Sequence, residues 1–202
     1  MDFNAIIKRV TALITNPKAE WEIIKLQPMT TADIFTKYAL ILAAIPAIAM
    51  FIGHTLIGVS FGFGTFRYPI GAGLQYAIFN YIFSLVGVFV AAFIIDALAP
   101  SFGSVKDMNR SLKVVVFSYI PLWVAGVLFI IPTLGILVSL IGIYSLYLLY
   151  LGIKQLKEPP ADKLMGYYIV SLVVMIVLFI GVGFIVASIA LSGYYPNALR
   201  GF

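Results

Sequence analysis

The chain has 202 residues, of which 62% are hydrophobic and 10% charged, and its mean hydropathy is +1.08. A soluble domain carries about 25% charged residues, so this composition excludes a water-soluble globule. It also excludes intrinsic disorder, which needs low hydrophobicity and high charge. Because a helix needs ~20 apolar residues to cross ~30 Å of hydrocarbon, the length allows four to six spans. We therefore predict a small all-α polytopic membrane protein.

The net charge of +5 does not indicate a nucleic-acid partner, because basic residues also collect beside membrane spans. The chain has no cysteine, which excludes disulfides, thiolate metal sites and a thiol nucleophile. Its single histidine, His54, excludes any site that needs two. We expect no cofactor, no metal and no binding of nucleic acid.

The first 37 residues are polar enough to lie outside the bilayer. Apolar side chains between residues 3 and 14 recur at helical spacing, which predicts an amphipathic helix. Asn16-Pro17 then ends this helix and starts another, since Pro suits the first helical turn. Cations are attracted to anionic lipid, and tryptophan favours the membrane interface. The residues that we expect to contact lipid are Lys8, Arg9, Lys18 and Trp21.

Five apolar runs follow, and each is long enough to cross a bilayer. Pro46 and Pro121 are expected to kink the first and third runs. Only Pro132-Thr133 separates the third run from the fourth, which predicts a tight antiparallel hairpin. We therefore divide the chain into an N-terminal segment (1–37), a five-helix domain (38–191) and a short tail (192–202). The predicted spans are residues 38–59, 74–98, 112–131, 134–153 and 164–191.

The basic residues predict the orientation of this bundle. If the five spans alternate in direction, 11 of the 13 Lys and Arg residues fall on one side of the membrane. Cytoplasmic segments carry the excess of Lys and Arg. The N-terminus is therefore predicted to be cytoplasmic and the C-terminus extracytoplasmic.

One segment resembles a catalytic motif. Gly58-Val59-Ser60-Phe61-Gly62 matches the G-x-S-x-G pattern of serine hydrolases, which requires a strand-to-helix turn, a base and an acid. His54 lies six residues upstream, and no acidic residue is expected on that side of the membrane. We therefore interpret this segment as part of a glycine-rich, aromatic loop, and we predict no catalytic residue.

Asp96 is the only acidic residue inside an apolar run. An ionisable group within a membrane span indicates a functional site by default, but Asp96 lies near the end of its span. We expect it to pair with Lys113 or Arg110, or to accept hydrogen bonds from backbone amides at a nearby helix start. Ser104-Val105-Lys106-Asp107 is such a start, and it predicts that the third helix begins at about Val105.

Polar and small residues inside the spans favour helix packing over chemistry. Ser118 is suited to a hydrogen bond between helices, and Tyr144 begins a tyrosine stripe at helical spacing. Small residues recur in the second, fourth and fifth spans, as in closely packed helices. Packing within one bundle explains them, and association with a second copy stays open.

Several segments in fixed order resemble the Yip family, membrane proteins first known for interacting with Rab-type GTPases, and above all its bacterial members. From these segments we take Asp96, Ser118, Tyr119, Pro121, Tyr144 and Gly152 as candidate functional or structural residues. The segments are Asn16-Pro17 with Glu20-Trp21-Glu22-Ile23-Ile24, Asp96-Ala97-Leu98-Ala99 with Phe102-Gly103-Ser104-Val105, Phe117-Ser118-Tyr119-Ile120-Pro121, Ile131-Pro132-Thr133-Leu134-Gly135, and Ile143-Tyr144-Ser145-Leu146-Tyr147-Leu148-Leu149-Tyr150-Leu151-Gly152.

The resemblance implies five spans, a cytoplasmic N-terminal region and a role as an adaptor or membrane-shaping factor, without established catalytic residues. The N-terminal region is short here, and no Asp-Leu-Tyr-Gly-Pro segment precedes the first span. This departure argues against binding of a Rab-type GTPase and fits a protein of a bacterial inner membrane.

We therefore expect a non-enzymatic membrane scaffold whose partners are the lipid bilayer and a membrane protein or a second copy. The alternative is a small channel, transporter or lipid-handling protein. Its cavity would lie between the first and third spans, near Pro46 and Pro121.

Overall fold

A computed structural model describes the backbone of residues 3–60 and 64–194. Seven helices account for nearly all of the described chain, and five of them are long and apolar enough to cross a membrane. This confirms the predicted all-α, five-span bundle. The helices are α1 (Phe3–Thr15), α2 (Pro17–Leu26), α3 (Thr31–Ile57), α4 (Ile70–Phe102), α5 (Met108–Ile130), α6 (Pro132–Lys157) and α7 (Ala161–Tyr194).

A proline and a capping box mark where the helices near the N-terminus begin. Pro17 occupies the first position of α2, where its missing N–H costs nothing. Thr30 and Asp33 form a complete capping box, in which each side chain bonds the backbone N–H of the other residue, and α3 starts there.

Helix α5 is the most buried of the five spans and forms the centre of the bundle. Its side chains at Leu112, Val116, Phe117 and Ile120 are inaccessible to solvent. It reverses into α6 at Ile131, whose backbone is extended, so the two helices form the predicted tight hairpin.

Helices α3 and α5 pack directly against each other at Pro46. A Cβ atom added to Gly126 would lie 2.6 Å from the Cβ of Pro46, which is too close for any side chain. Gly126 thus allows the two backbones to approach. At this level the two backbones leave no space for a cavity between the spans.

The connection between α3 and α4 contains a short β-hairpin. Strands β1 (Val59–Ser60) and β2 (Thr65–Phe66) pair antiparallel, with Val59 opposite Phe66. Gly58 enters the hairpin with a φ of 91°, a value that a side chain would disfavour.

The start of α5 differs from the sequence prediction. The helix begins at Met108, not near Val105, because Asp107 is its N-cap and accepts a hydrogen bond from the Arg110 amide. The Ser104 hydroxyl instead donates to the carbonyl of Lys157 and so joins the connection to the end of α6.

Candidate functional site

The polar residues of the bundle concentrate at one end, which we call the charged end. Because the spans alternate in direction, the end of α4, the start of α5, the end of α6 and the start of α7 meet there. Helices α1 and α2 pack on the same half of the molecule, against α5 and α6.

Asp96 and Lys157 form the centre of this end. The Asp96 Oδ1 lies 3.1 Å from the Lys157 Nζ, and it also accepts hydrogen bonds from the Asp107 amide at 2.7 Å and the Ser111 hydroxyl at 3.2 Å. Lys157 donates in addition to the carbonyls of Val105 and Asp107, at 2.8 and 3.3 Å. These contacts, the Asp96 network, connect α4, α5 and α6.

The Lys157 side chain is fully buried (0% exposed), so its charge depends on these partners. Three oxygen acceptors match the three N–H donors of an ammonium group. The predicted hydrogen bond from a backbone amide to Asp96 is present. The cation that pairs with Asp96 is Lys157, whereas Lys113 or Arg110 was expected. The sequence offered a weak signal for this residue, since Lys157 also lies at the end of a span on the predicted basic side.

Glu158 connects the turn after α6 to two other elements. Its carboxylate binds Arg110 of α5 at 3.2 Å and the Lys25 ammonium of α2. The hydrogen bond from Lys25 lowers the pKa of the Glu158 carboxyl below its usual value, against the opposing effect of burial. Glu158 has a φ of 47°, the one positive φ of a non-glycine residue within the described chain. Such a conformation is uncommon for a residue with a side chain.

Arg9 and Glu20 form an ion pair between α1 and α2. Arg9 donates to Glu20 and to the side-chain carbonyl of Gln27, and its guanidinium lies 5.6 Å from the ring centre of Phe117. Both charged residues are buried. The pair therefore holds the two helices together and against α5.

Trp21 fills a notch at the end of α6. The residue is 1% exposed, and a Cβ atom added to Gly152 would lie 2.8 Å from its Cη2 atom. Its indole meets the Phe117 ring edge to face, with the ring centres 6.4 Å apart. Gly152 is thus required so that the indole can fit.

Lys113 holds the end of α2. It is buried in α5, and its ammonium donates to the Gln27 carbonyl at 2.7 Å and lies 3.5 Å from the Ile24 carbonyl. A cation at the C-terminus of a helix satisfies the last carbonyl groups and interacts favourably with the helix dipole.

Tyr144 holds the end of α1 deep beside the bundle. Its hydroxyl donates to the carbonyls of Leu13 and Ile14, at 2.8 and 3.3 Å. Tyr144 lies 13 residues before the end of α6, or ~20 Å at 1.5 Å per residue. Pro121, at the same level of α5, lines a depression together with Ile14 and Tyr144. The tip of the α1–α2 hairpin therefore reaches the middle of the spans.

The other two candidate residues lie apart from these contacts. The Ser118 hydroxyl donates to the carbonyl of Val114 one turn earlier, at 2.6 Å, and contacts no second helix in this way. Tyr119 is half-buried and lines a crevice on another face of the bundle. Apart from Ser118, the candidates thus divide among the Asp96 network, the contacts of α1 and α2 with the spans, and the crevice.

The four residues expected to contact lipid differ in their exposure. Lys8 and Lys18 are exposed, as lipid contact requires. Arg9 and Trp21 are buried in the protein instead, because Glu20 pairs with the guanidinium and the Gly152 notch receives the indole. The exposed face of α1 carries Ile7 and Ile14, and these were missed as candidates for lipid contact.

The residues of the hydrolase-like motif have ordinary surroundings. Ser60 is exposed in β1, while the His54 Nδ1 lies 2.9 Å from the Met50 carbonyl oxygen. The His54 ring packs against Tyr68 and Tyr76. Gly62 lies outside the described residues. Within the described chain, no three His, Asp or Glu side chains are grouped in a way that could hold a metal ion.

Comparison with known proteins gives one family and two curated relatives. The family model for the Yip1 domain matches residues 11–185. Two proteins named Inner membrane protein YohC, from Escherichia coli strain K12 and from E. coli O6:H1 strain CFT073, are each 31% identical over 154 residues. The matched region covers 74% of this chain and 78% of each relative. No solved structure matches the chain.

Proposed function

Because the chain belongs to the Yip1 domain family, we propose that it is a non-enzymatic scaffold or adaptor in a bacterial inner membrane. Its N-terminus would lie in the cytoplasm, and its charged end would be the surface that a partner meets. The location rests on the name of its relatives, and the orientation rests on the concentration of basic residues at one end.

One observation carries this proposal. The N-terminal hairpin and the connections of the bundle are tied to one another at the charged end by ion pairs and by hydrogen bonds to backbone carbonyls. Glu158 alone joins α2, α5 and the α6–α7 turn. A surface held by these ion pairs and hydrogen bonds is rigid, which favours recognition of a partner because less conformational entropy is lost on binding.

The surface also offers side chains that the internal contacts leave accessible. Val105 is 74% exposed in the α4–α5 connection, and Lys106 beside it is exposed as well. Lys154 is exposed near the end of α6. These residues lie in the two segments, 99–113 and 153–163, that we propose as the partner surface, and their charge favours an acidic partner.

Site-specific photo-crosslinking in intact membranes tests the proposal. A photoreactive residue at Lys106 or Lys154 should give a discrete adduct of higher mass, and the same residue at exposed Thr65, in the β-hairpin, serves as the control. Co-expression of two differently tagged copies shows whether the adduct contains a second copy. No adduct at either lysine, or the same adduct at Thr65, would contradict a partner surface at this end.

The orientation has its own test. A reporter that is active in one compartment only is fused to each terminus in turn, and we expect the two fusions to report opposite compartments. Activity of both fusions in the same compartment would refute five alternating spans with a cytoplasmic N-terminus.

A small channel, transporter or lipid-handling protein is the second class. The packing of Pro46 on Gly126 weighs against a cavity between the first and third spans at this level. A flux assay on purified protein in liposomes separates the two classes. We expect no flux of ions or small solutes above that of empty liposomes, and protein-dependent flux would overturn the scaffold proposal.

A further inference from the structure

A crevice of about 210 Å³ lies between four of the spans. A function for this crevice goes beyond the proposed scaffold role. Its wall is almost entirely apolar and comes from α4, α5, α6 and α7. Three of its lining residues, Leu146, Ile176 and Phe179, are well exposed on the outer surface of the spans. The crevice therefore opens sideways, toward lipid. We call it the Ser145 crevice after its one serine.

Ser145 is a polar side chain without a partner. It is 6% exposed and lines the crevice, and its hydroxyl has no hydrogen bond to any described residue. Serine in a membrane helix commonly donates to the carbonyl four residues earlier, as Ser118 does. A buried hydroxyl that makes no bond is unfavourable. The hydroxyl oxygen itself is buried, so an occupant of the crevice reaches it after the Ser145 side chain turns to another staggered rotamer.

The depth of Ser145 restricts what that occupant is. The residue lies 12 residues from Lys157 and 13 from Pro132, so it is near the midpoint of α6, ~18 Å from either end. Water is scarce at that depth of a bilayer, and a charged group there is costly. The occupant must enter from the lipid and carry an uncharged polar group.

We propose that the Ser145 crevice binds a neutral amphiphile from the bilayer, a molecule with an aliphatic chain and one uncharged oxygen that hydrogen bonds to the Ser145 hydroxyl. Its volume exceeds the roughly 150 Å³ of an apolar cavity that accepts benzene. The crevice thus holds the polar end with the adjoining carbons. The rest of the chain lies along the exposed rim formed by Ile176 and Phe179.

Photolabelling of the purified protein in phosphatidylcholine nanodiscs tests this site. The probe is a long-chain alcohol with a diazirine near the hydroxyl group, and a diazirine alkane of equal length lacks the oxygen. Mass spectrometry should locate saturable labelling by the alcohol at crevice residues such as Leu149 and Met175. Competition by an unlabelled alcohol and by an unlabelled ketone shows whether a hydroxyl or a carbonyl group is preferred.

Variants identify the hydrogen bond. Ser145→Ala should weaken labelling by the alcohol about fivefold, as the loss of one hydrogen bond predicts, and should leave labelling by the alkane unchanged. Ser171→Ala is the matched control, because Ser171 is also buried and unpartnered among the described residues but does not line the crevice. Gly142→Leu, which places a side chain in the crevice, should abolish labelling by both probes.

Two results would overturn the proposal. One is equal saturable labelling of the wild-type protein and Ser145→Ala by the alcohol, and the other is labelling spread evenly over the outer surface of the spans. If Gly142→Leu does not fold, the comparison of Ser145→Ala with Ser171→Ala still decides between these results. Neither outcome bears on the crosslinking test of the charged end.

Discussion

The charged end and the interior of the spans differ in how their buried polar side chains are bonded. At the charged end, the buried cations Lys157, Lys113 and Arg9 each bind oxygen atoms from other segments of the chain. Inside the spans, the hydroxyls of Ser145 and Ser171 are buried without a partner among the described residues. Charge therefore joins distant segments at one end, whereas packing and a few neutral hydrogen bonds hold the helices together in the middle, such as the bond that the Trp123 Nε1 donates to the Ser84 hydroxyl at 3.0 Å.

The largest expected effect comes from removing a charge at the centre of the Asp96 network. Lys157→Met should destabilise the fold by ~3–5 kcal/mol, because Asp96 would keep its charge without a counter-ion in a partly buried place. Unfolding in mixed detergent micelles measures this. Lys154→Met, at an exposed position of the same turn, should change stability by less than ~0.5 kcal/mol. Equal effects of the two variants would show that the network contributes nothing specific.

Disturbing the contact between Trp21 and Gly152 should give the next largest effect. Gly152→Ala places a Cβ atom 2.8 Å from the indole, so α2 must shift, at a cost of ~1–3 kcal/mol. A change of tryptophan fluorescence should accompany the loss of stability. Gly71→Ala is the control, since a Cβ atom there meets open space. Unaltered fluorescence in Gly152→Ala would contradict the close contact.

A smaller effect is expected where α1 is held against the spans. Tyr144→Phe removes one hydroxyl and with it the hydrogen bonds to Leu13 and Ile14, which should cost ~1 kcal/mol. Amide hydrogen exchange in residues 3–15 should become faster. Tyr147→Phe, on the exposed side of the same helix, should leave that exchange unchanged, and the contact would be unimportant if the two variants behaved alike.

The smallest effect concerns pH. The pKa of Glu158 is lowered in the folded protein by its hydrogen bond with Lys25, so its contribution to stability is present above the ordinary glutamate pKa of ~4.3. That contribution is lost as the pH falls through the lowered pKa of the folded state. Because Glu158 is about half exposed, we expect less than ~1 kcal/mol. Unfolding followed from pH 6 to 3 should show a weaker dependence in Glu158→Gln, and identical curves would argue against the pair.

Hydropathy was sufficient to predict the five spans, because the bilayer imposes a minimum length on each apolar run. Local chemistry determines the start of α3, where Thr30 and Asp33 form a capping box. The start of α5 was misplaced by three residues because both Ser104 and Asp107 can cap a helix, and only the packed fold decides which of them does.

The contacts of the candidate site were harder to predict because they depend on how distant segments meet. Asp96 and Lys157 are 61 residues apart in sequence, and several other Lys and Arg residues lie on the same predicted side of the membrane. The sequence therefore could not identify which of these cations pairs with Asp96. The helical spacing in α1 revealed one apolar face, but it could not tell whether that face meets lipid or protein. Trp21 is a typical interface residue by type, and only the notch at Gly152 explains its burial.

The packing of the N-terminal hairpin on α5 and α6 has a consequence for biogenesis. The surfaces that receive α1 and α2 belong to Phe117, Tyr144 and Gly152, all of which leave the ribosome long after the hairpin has been made. The hairpin therefore reaches its place only after α5 and α6 have been made, and until then the Trp21 side chain lacks the surface that buries it. The N-terminal hairpin is thus one of the last parts of the chain to reach its final place.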